Sequence, residues 1–278
     1  MGFVNKHSER DSMLPMHRKN LMDRIEQDLL HDDHVLALFY GGSIGNENTD
    51  CYSDIDLRVV IKSEKIKEYI SEKKIRPLTW GKVLYFEDAN PLSNYTVAHY
   101  DSFVKVDTFY YKLDDLQPSV WLENSKIKKD TTGMIAEILG KSKTLTYETT
   151  LAEFELWRTK FFAYLHEAYR RTRRGEYYYA LNCVDSMRLS MCTAWCMEAG
   201  VQPNAFGDWA KYEGARSGFE PWQKSLLEDW ECVRDPVEIM NVMRSIVPAF
   251  RNVHESLCNN LGVEVDSEWV DEIINKVM

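Results

Sequence analysis

Residues 40–57 read YGGSIGNENTDCYSDIDL, and two incompatible chemistries fit them. In one, Gly41 to Gly45 is G-x-S-x-G, the strained strand-to-helix elbow that exposes a nucleophilic serine. In the other, the glycines and Ser43 form a turn that grips phosphate, and Asp54 and Asp56 hold metal just downstream. Context separates the two. An elbow tops a central strand of a largely parallel sheet, yet only one helical segment precedes the apolar run Val35–Tyr40. The elbow also needs an acid and then a histidine, and His99, His166 and His254 scattered along 278 residues are no signal. The stretch lacks both the G-K-[ST] of a P-loop and the third glycine of G-x-G-x-x-G.

The phosphate reading makes three demands that these residues meet together. Gly41 and Gly42 let backbone approach a polyanion, and Ser43 is expected as an N-cap whose hydroxyl faces that charge. Asp54 and Asp56 alternate with Ile55, Leu57 and Val59 in a predicted strand. Both acids therefore leave one face, roughly 6.5 Å apart at ~3.3 Å per residue, and can converge on Mg²⁺. Two-metal chemistry also asks for a further carboxylate. Asp107 in FVKVDTFYY (103–111) supplies it, sharing its face with Phe103, Lys105 and Phe109.

Outward from this segment, Leu21, Ile25 and Leu29 recur at helical spacing over about 16–30, and Ser63 is placed to cap a helix over 63–72. Between Lys82 and Tyr111 lie three β-like runs, KVLYFED, NYTVAHY and FVKVDTFYY. After Pro118 the pattern turns helical, with segments predicted over 153–175, 177–199, roughly 205–215, 219–232 and 236–261, and a short last one. The fold class expected is α+β: an N-terminal mixed sheet flanked by helices over 1–125, then a helical bundle over 126–278.

Composition bounds the function. Hydrophobic residues at 44% and charged residues at 28% describe an ordinary globular chain, and no run reaches the ~18 apolar residues of a membrane span. The polar start MGFVNKHSERDSM has no signal-peptide core, and Lys6 spoils a myristoylation motif at Gly2, so a cytoplasmic location is expected. Six cysteines without C-x-x-C spacing read as reduced thiols. A net charge of −10 disfavours long nucleic acids and suits a cationic or neutral small molecule. Four cations at 170–174 ahead of Gly175 are accounted for by a helix C-terminus, with a phosphate or partner patch as the alternative.

Gly42-Ser43, then Ser53-Asp54-Ile55-Asp56-Leu57, then a strand bearing Asp107, together resemble the nucleotidyltransferase superfamily typified by polymerase β. A brief catalytic sheet followed by a helical half is similar to the aminoglycoside and lincosamide nucleotidyltransferases that confer antibiotic resistance. The resemblance implies an enzyme with two Mg²⁺ ions that moves AMP from ATP to a hydroxyl of a small acceptor and releases pyrophosphate. It implies that Gly42 and Ser43 bind triphosphate, that Asp54 and Asp56 ligate both ions, and that Asp107 ligates the ion activating the acceptor.

The general base lies outside the shared motif. Glu87 is one choice, against a solvated strand end beside Asp88. Lys160 and Arg188 in the helical half are choices for a triphosphate clamp, against surface or structural roles; Asp185, three residues before Arg188, is its alternative partner. Two other functions stay open: transfer to a protein or RNA acceptor, and a catalytically silent nucleotide-binding protein.

Overall fold

A computed structural model describes residues 6–88 and 90–278, so Gly2 lies outside the described residues. The chain forms two compact units that divide between Leu145 and Thr146.

In the first unit, α1 (Ser8–Ser12) and α2 (Leu14–Leu30) lead into β1 (Val35–Tyr40), the short α3 (Gly42–Gly45) and β2 (Ile55–Ile61). Then come α4 (Ile66–Ser71), α5 (Pro77–Trp80), β3 (Val83–Phe86), β4 (Tyr95–Tyr100), β5 (Lys105–Tyr111), β6 (Lys126–Asp130) and α6 (Met134–Ser142). The six strands make one mixed sheet ordered β3-β4-β5-β2-β1-β6, in which β2 and β5 run parallel and the other pairs antiparallel.

The alternation read from the sequence decides which side chains face which layer. Ile55, Leu57 and Val59 of β2, with Val106 and Tyr110 of β5, are buried in one core with Leu21, Ile25 and Leu29 of α2. On the other face a smaller core gathers Phe39, Val60, Leu116, Leu122, Ile135 and Leu139, at the β1–β6 end. Asp56 and Arg58, and Lys105, Asp107 and Phe109, stay only half-buried on that second face. This part of the sheet is where polar chemistry has room.

Two expectations need correction. The segment KIKKD (126–130) is strand β6, with α6 beyond it, so the division falls later than 125/126. Its charge hid it: β6 is an edge strand, where lysines are at home, and Lys128 pairs with Glu26 at 2.9 Å while Lys129 donates to the carbonyls of Leu30 and Asp32. The helix at 63–72 is shorter, Ile66–Ser71, and starts from Lys65 rather than a serine cap.

The second unit is helical: α7 (Leu151–Arg173), α8 (Tyr177–Glu198), α9 (Pro221–Asp229), α10 (Pro236–Leu261) and α11 (Ser267–Asn275). A capping box between Thr150 and Glu153 starts α7, and Gly175, at φ +75°, follows its end. The terminal arginines are engaged locally, Arg170 with Glu167 and Arg171 with Glu167 and Glu176. Phe161 stacks on Phe250 with ring centroids 3.9 Å apart, and Trp157 Nε1 donates to the Ser190 carbonyl at 2.8 Å. The helix expected over 205–215 is a loop with one 3₁₀ turn, Gly214–Arg216. Positive φ at Gly207, Lys211 and Gly214 breaks the helical path there. All six cysteines are free thiols, four of them buried.

His254 is buried in this core against Phe154, Trp157 and Phe250. Burial, helped by the charge of Arg158, holds its pKa down to about 4. The unfolded chain takes up that proton at higher pH, so the neutral ring's contribution is complete above about pH 6.5 and is lost as pH falls towards 4. The melting temperature is expected to drop across that window, and less steeply in His254→Leu. Equal slopes in thermal melts of the two proteins would contradict this.

Candidate active site

Asp54 immediately precedes β2 and Asp56 is its second residue; Asp107 is the third residue of β5. The parallel register sets Asp56 directly beside Asp107. Three acids from two distant segments therefore meet on the half-buried face, as alternation along two strands requires.

The glycine turn closes over them. Gly42 has φ +54°, and a Cβ there would overlap Asp56 Oδ2 and sit 2.7 Å from its Cγ. Only glycine leaves that space while adopting a left-handed conformation without strain. The Gly41 amide donates to the Asp56 carbonyl at 2.9 Å, tying turn and strand together. The expected serine cap is corrected: Gly41 precedes the first residue of α3, and Ser43 lies inside it. Ser43 is 6% exposed, and its Oγ has no hydrogen-bond partner.

Electrostatics mark the cluster as strained. Burial, then the charge of Asp54, pushes the Asp56 carboxyl above the usual carboxylate range. Asp107 is likewise raised, burial outweighing the opposing pull of Lys105. Asp107 Oδ1 is buried and unpartnered.

Lys105 is the residue that sequence reasoning undervalued. Its Nζ lies 2.9 Å from Asp54 Oδ2 and 3.1 Å from Asp107 Oδ2, bridging two of the three acids. Burial works against the ammonium, but bonds and charges from both acids keep its pKa above the ordinary value. Among the described residues, no three His, Cys, Asp or Glu side chains form a group that could hold a metal ion. Two of these carboxylates are instead turned onto a lysine. The three carboxylates are oxygen donors of the kind a hard divalent cation takes, and Asp107 Oδ1 has no partner. The signal for Lys105 was its shared face with Asp107.

Glu87 follows β3 with its side chain 64% exposed, and its Oε2 meets His99 Nε2 at 3.1 Å. Its charge reaches Asp107, contributing to that carboxyl's upward shift. Asp88 beside it is not solvated: it is buried, bonded to Thr96 Oγ1 at 2.7 Å and paired with Lys73 at 3.2 Å. His99 stacks on Tyr85, and together with Asp54, Tyr52, Phe103 and Lys105 they line a cavity of about 350 Å³.

Lys160 and Arg188 belong to the helical unit and line different pockets there. Arg188 Nε donates to the Trp230 carbonyl at 2.9 Å, and its guanidinium pairs with Asp185. These contacts satisfy it structurally. Lys160 is exposed, beside Trp157, Leu189 and Met197.

A mixed sheet followed by a helical unit is the α+β fold class that the sequence led one to expect. The chain is similar to an aminoglycoside 6-adenyltransferase from Bacillus subtilis, at 12% identity and a TM-score of 0.45, over 94% of this chain and 97% of that one. It is also similar to a nucleotidyltransferase-like protein from Exiguobacterium sibiricum 255-15, at 13% identity and a TM-score of 0.43, over 93% and 80% of the two chains. No protein-family model and no curated protein matches it.

Proposed function

We propose that the protein is a nucleotidyltransferase that moves a nucleoside monophosphate, AMP from ATP, to a hydroxyl of a small acceptor. The observation that supports this best is the register of Asp56 with Asp107, with Asp54 bonded into the same cluster beneath a turn whose Gly42 leaves room for the Asp56 carboxylate.

In this reading Asp54, Asp56 and Asp107 would hold two Mg²⁺ ions. Bound there, Mg²⁺ neutralises charge on the triphosphate and lowers the pKa of the acceptor hydroxyl. Gly42 opens the backbone to the phosphates, and the Ser43 hydroxyl donates to one of them. The acceptor oxygen bonds to the α-phosphorus, the bond from that phosphorus to the β-phosphate oxygen breaks, and pyrophosphate leaves. Glu87 takes the hydroxyl proton, a role its nearness to Asp107 favours. The net charge of −10 favours a cationic acceptor such as an aminoglycoside. On the helical unit Lys160 is exposed, whereas Arg188 is already engaged by the Trp230 carbonyl and Asp185.

Lys105 makes the metal sites testable without turnover. In Lys105→Met, Asp54 and Asp107 lose their cation, and the melting temperature in EDTA is expected to fall by about 2–4 °C, as loss of roughly 1 kcal/mol implies. Millimolar Mg²⁺ should then raise it more than it raises the wild type. An equal rise in both proteins would show that no ion enters between these acids.

The direct test incubates the protein with Mg²⁺, ATP and a panel of aminoglycosides and lincosamides. Pyrophosphate release should match the mass gained by one acceptor. Pyrophosphate without any small-molecule adduct would move the acceptor to a protein or RNA.

A further inference from the structure

We infer that Arg58 is a phosphate-binding residue, holding the nucleotide's polyphosphate from beneath the glycine turn together with Ser43. The inference rests on the nucleotidyl-transfer reading and adds a cation to it that the acidic motif does not include.

Arg58 lies two residues after Asp56 on β2 and so leaves the sheet on the same face as the acids. In the ladder it sits between Phe39 of β1 and Phe109 of β5, and its Cζ is 5.5 Å from the centre of the Phe109 ring. Flanked by these rings, the side chain runs back under the turn. A Cβ at Gly41 would approach Arg58 Cζ to 2.9 Å, so the glycine there leaves space for the guanidinium as Gly42 leaves space for Asp56.

What the guanidinium does not have is a complete set of partners. Arg58 Nη1 is buried and makes no hydrogen bond. Asp56 is near enough for the two charges to interact and Tyr111 bonds the guanidinium, yet the Nη1 donor stays unmade, a standing penalty that a folded protein rarely tolerates without reason. The second orphan at the same turn is Ser43 Oγ, on a side chain more than nine-tenths buried. The Gly41 amide is already committed to the Asp56 carbonyl. Two buried polar atoms, one of them the Nη1 of a fixed cation whose planar fork suits phosphate oxygens, thus flank the turn and lack a partner. An anion of several oxygens would satisfy both.

The test measures ATP and adenosine binding by calorimetry in Mg²⁺ for the full chain and for Arg58→Gln and Arg58→Lys. Arg58→Gln is expected to weaken ATP roughly 10- to 100-fold, the range for a hydrogen bond to a charged group, and to leave adenosine affinity unchanged. Arg58→Lys should lose less, keeping the charge without the fork. ATP affinity within twofold of wild type in Arg58→Gln overturns the inference and leaves the nucleotidyl-transfer reading intact. Should Arg58→Gln fail to fold, unchanged ATP affinity in Arg58→Lys overturns it equally. A wild-type protein that binds no ATP removes both.

Discussion

Asp56→Asn is expected to lower turnover by about 10³-fold or more while leaving the protein as stable as the wild type or more so. The activity loss follows if this carboxylate holds metal, since a metal centre supplies several kcal/mol of transition-state stabilisation and each ~1.4 kcal/mol is tenfold in rate. The stability gain follows from the same geometry. Asp56 is buried beside Asp54 and Asp107, and its charged form is disfavoured by burial and by Asp54. Removing that charge relieves repulsion, a gain of about 0.5–2 kcal/mol of the kind seen where function is traded against stability. Steady-state kinetics and a metal-free thermal melt near pH 7 check the two halves. A variant that loses stability as well as activity would give Asp56 a structural role, and one that keeps activity would remove it from the site.

Gly42→Ala is expected to be the most damaging single methyl group in the first unit. At φ +54° an alanine pays roughly 1–2 kcal/mol for the left-handed conformation, and its Cβ would also collide with the Asp56 carboxylate. Unfolding midpoints should therefore fall by about 2–4 kcal/mol, and turnover should fall about as far as in Asp56→Asn. The collision makes the two positions interdependent. In Gly42→Ala with Asp56→Ala the overlapping atoms are gone, and the former Asp56 Cβ lies 3.4 Å from the new methyl, an ordinary contact. The double variant should regain part of the lost stability and none of the activity, a departure from additivity that a double-mutant cycle reads directly. Strict additivity would contradict the contact.

Both predictions depend on features that the sequence carried unevenly. Strands β1, β2 and β5 were legible because they alternate acid and apolar residues or run apolar into glycine, and the side-chain period of two has no other explanation in so short a span. That the strand of Asp107 neighbours that of Asp54 and Asp56 was legible; the register that sets Asp56 beside Asp107 was not. Strand β6 was not legible, since an edge strand with three lysines looks like a solvated loop until its partner β1 is known. The loop at 205–217 kept a helical pattern in its aromatic residues while Gly207 and Gly214 interrupted the backbone.

Within the site, glycine and carboxylates could be read because their chemistry constrains residue type. Lys105 and Arg58 could not, although both share the face of the acids by simple parity. Their roles depend on where a long side chain ends: the Lys105 ammonium between Asp54 and Asp107, the Arg58 guanidinium under Gly41. Periodicity fixes a direction from the strand and says nothing of reach. Arg188 shows the same limit from the other side, since its partner carbonyl at Trp230 lies 42 residues away and no local pattern announces it.

The central claim is that the α-phosphoryl group of ATP moves with its nucleoside attached. ATP labelled at the α-phosphorus and, in parallel, at the γ-phosphorus distinguishes this from every other use of the nucleotide. With Mg²⁺ and a responsive acceptor, the α-label is expected on the acceptor and the γ-label in pyrophosphate, with neither released by Asp54→Ala. Transfer of the γ-label to the acceptor, or undiminished release in Asp54→Ala, would contradict the account.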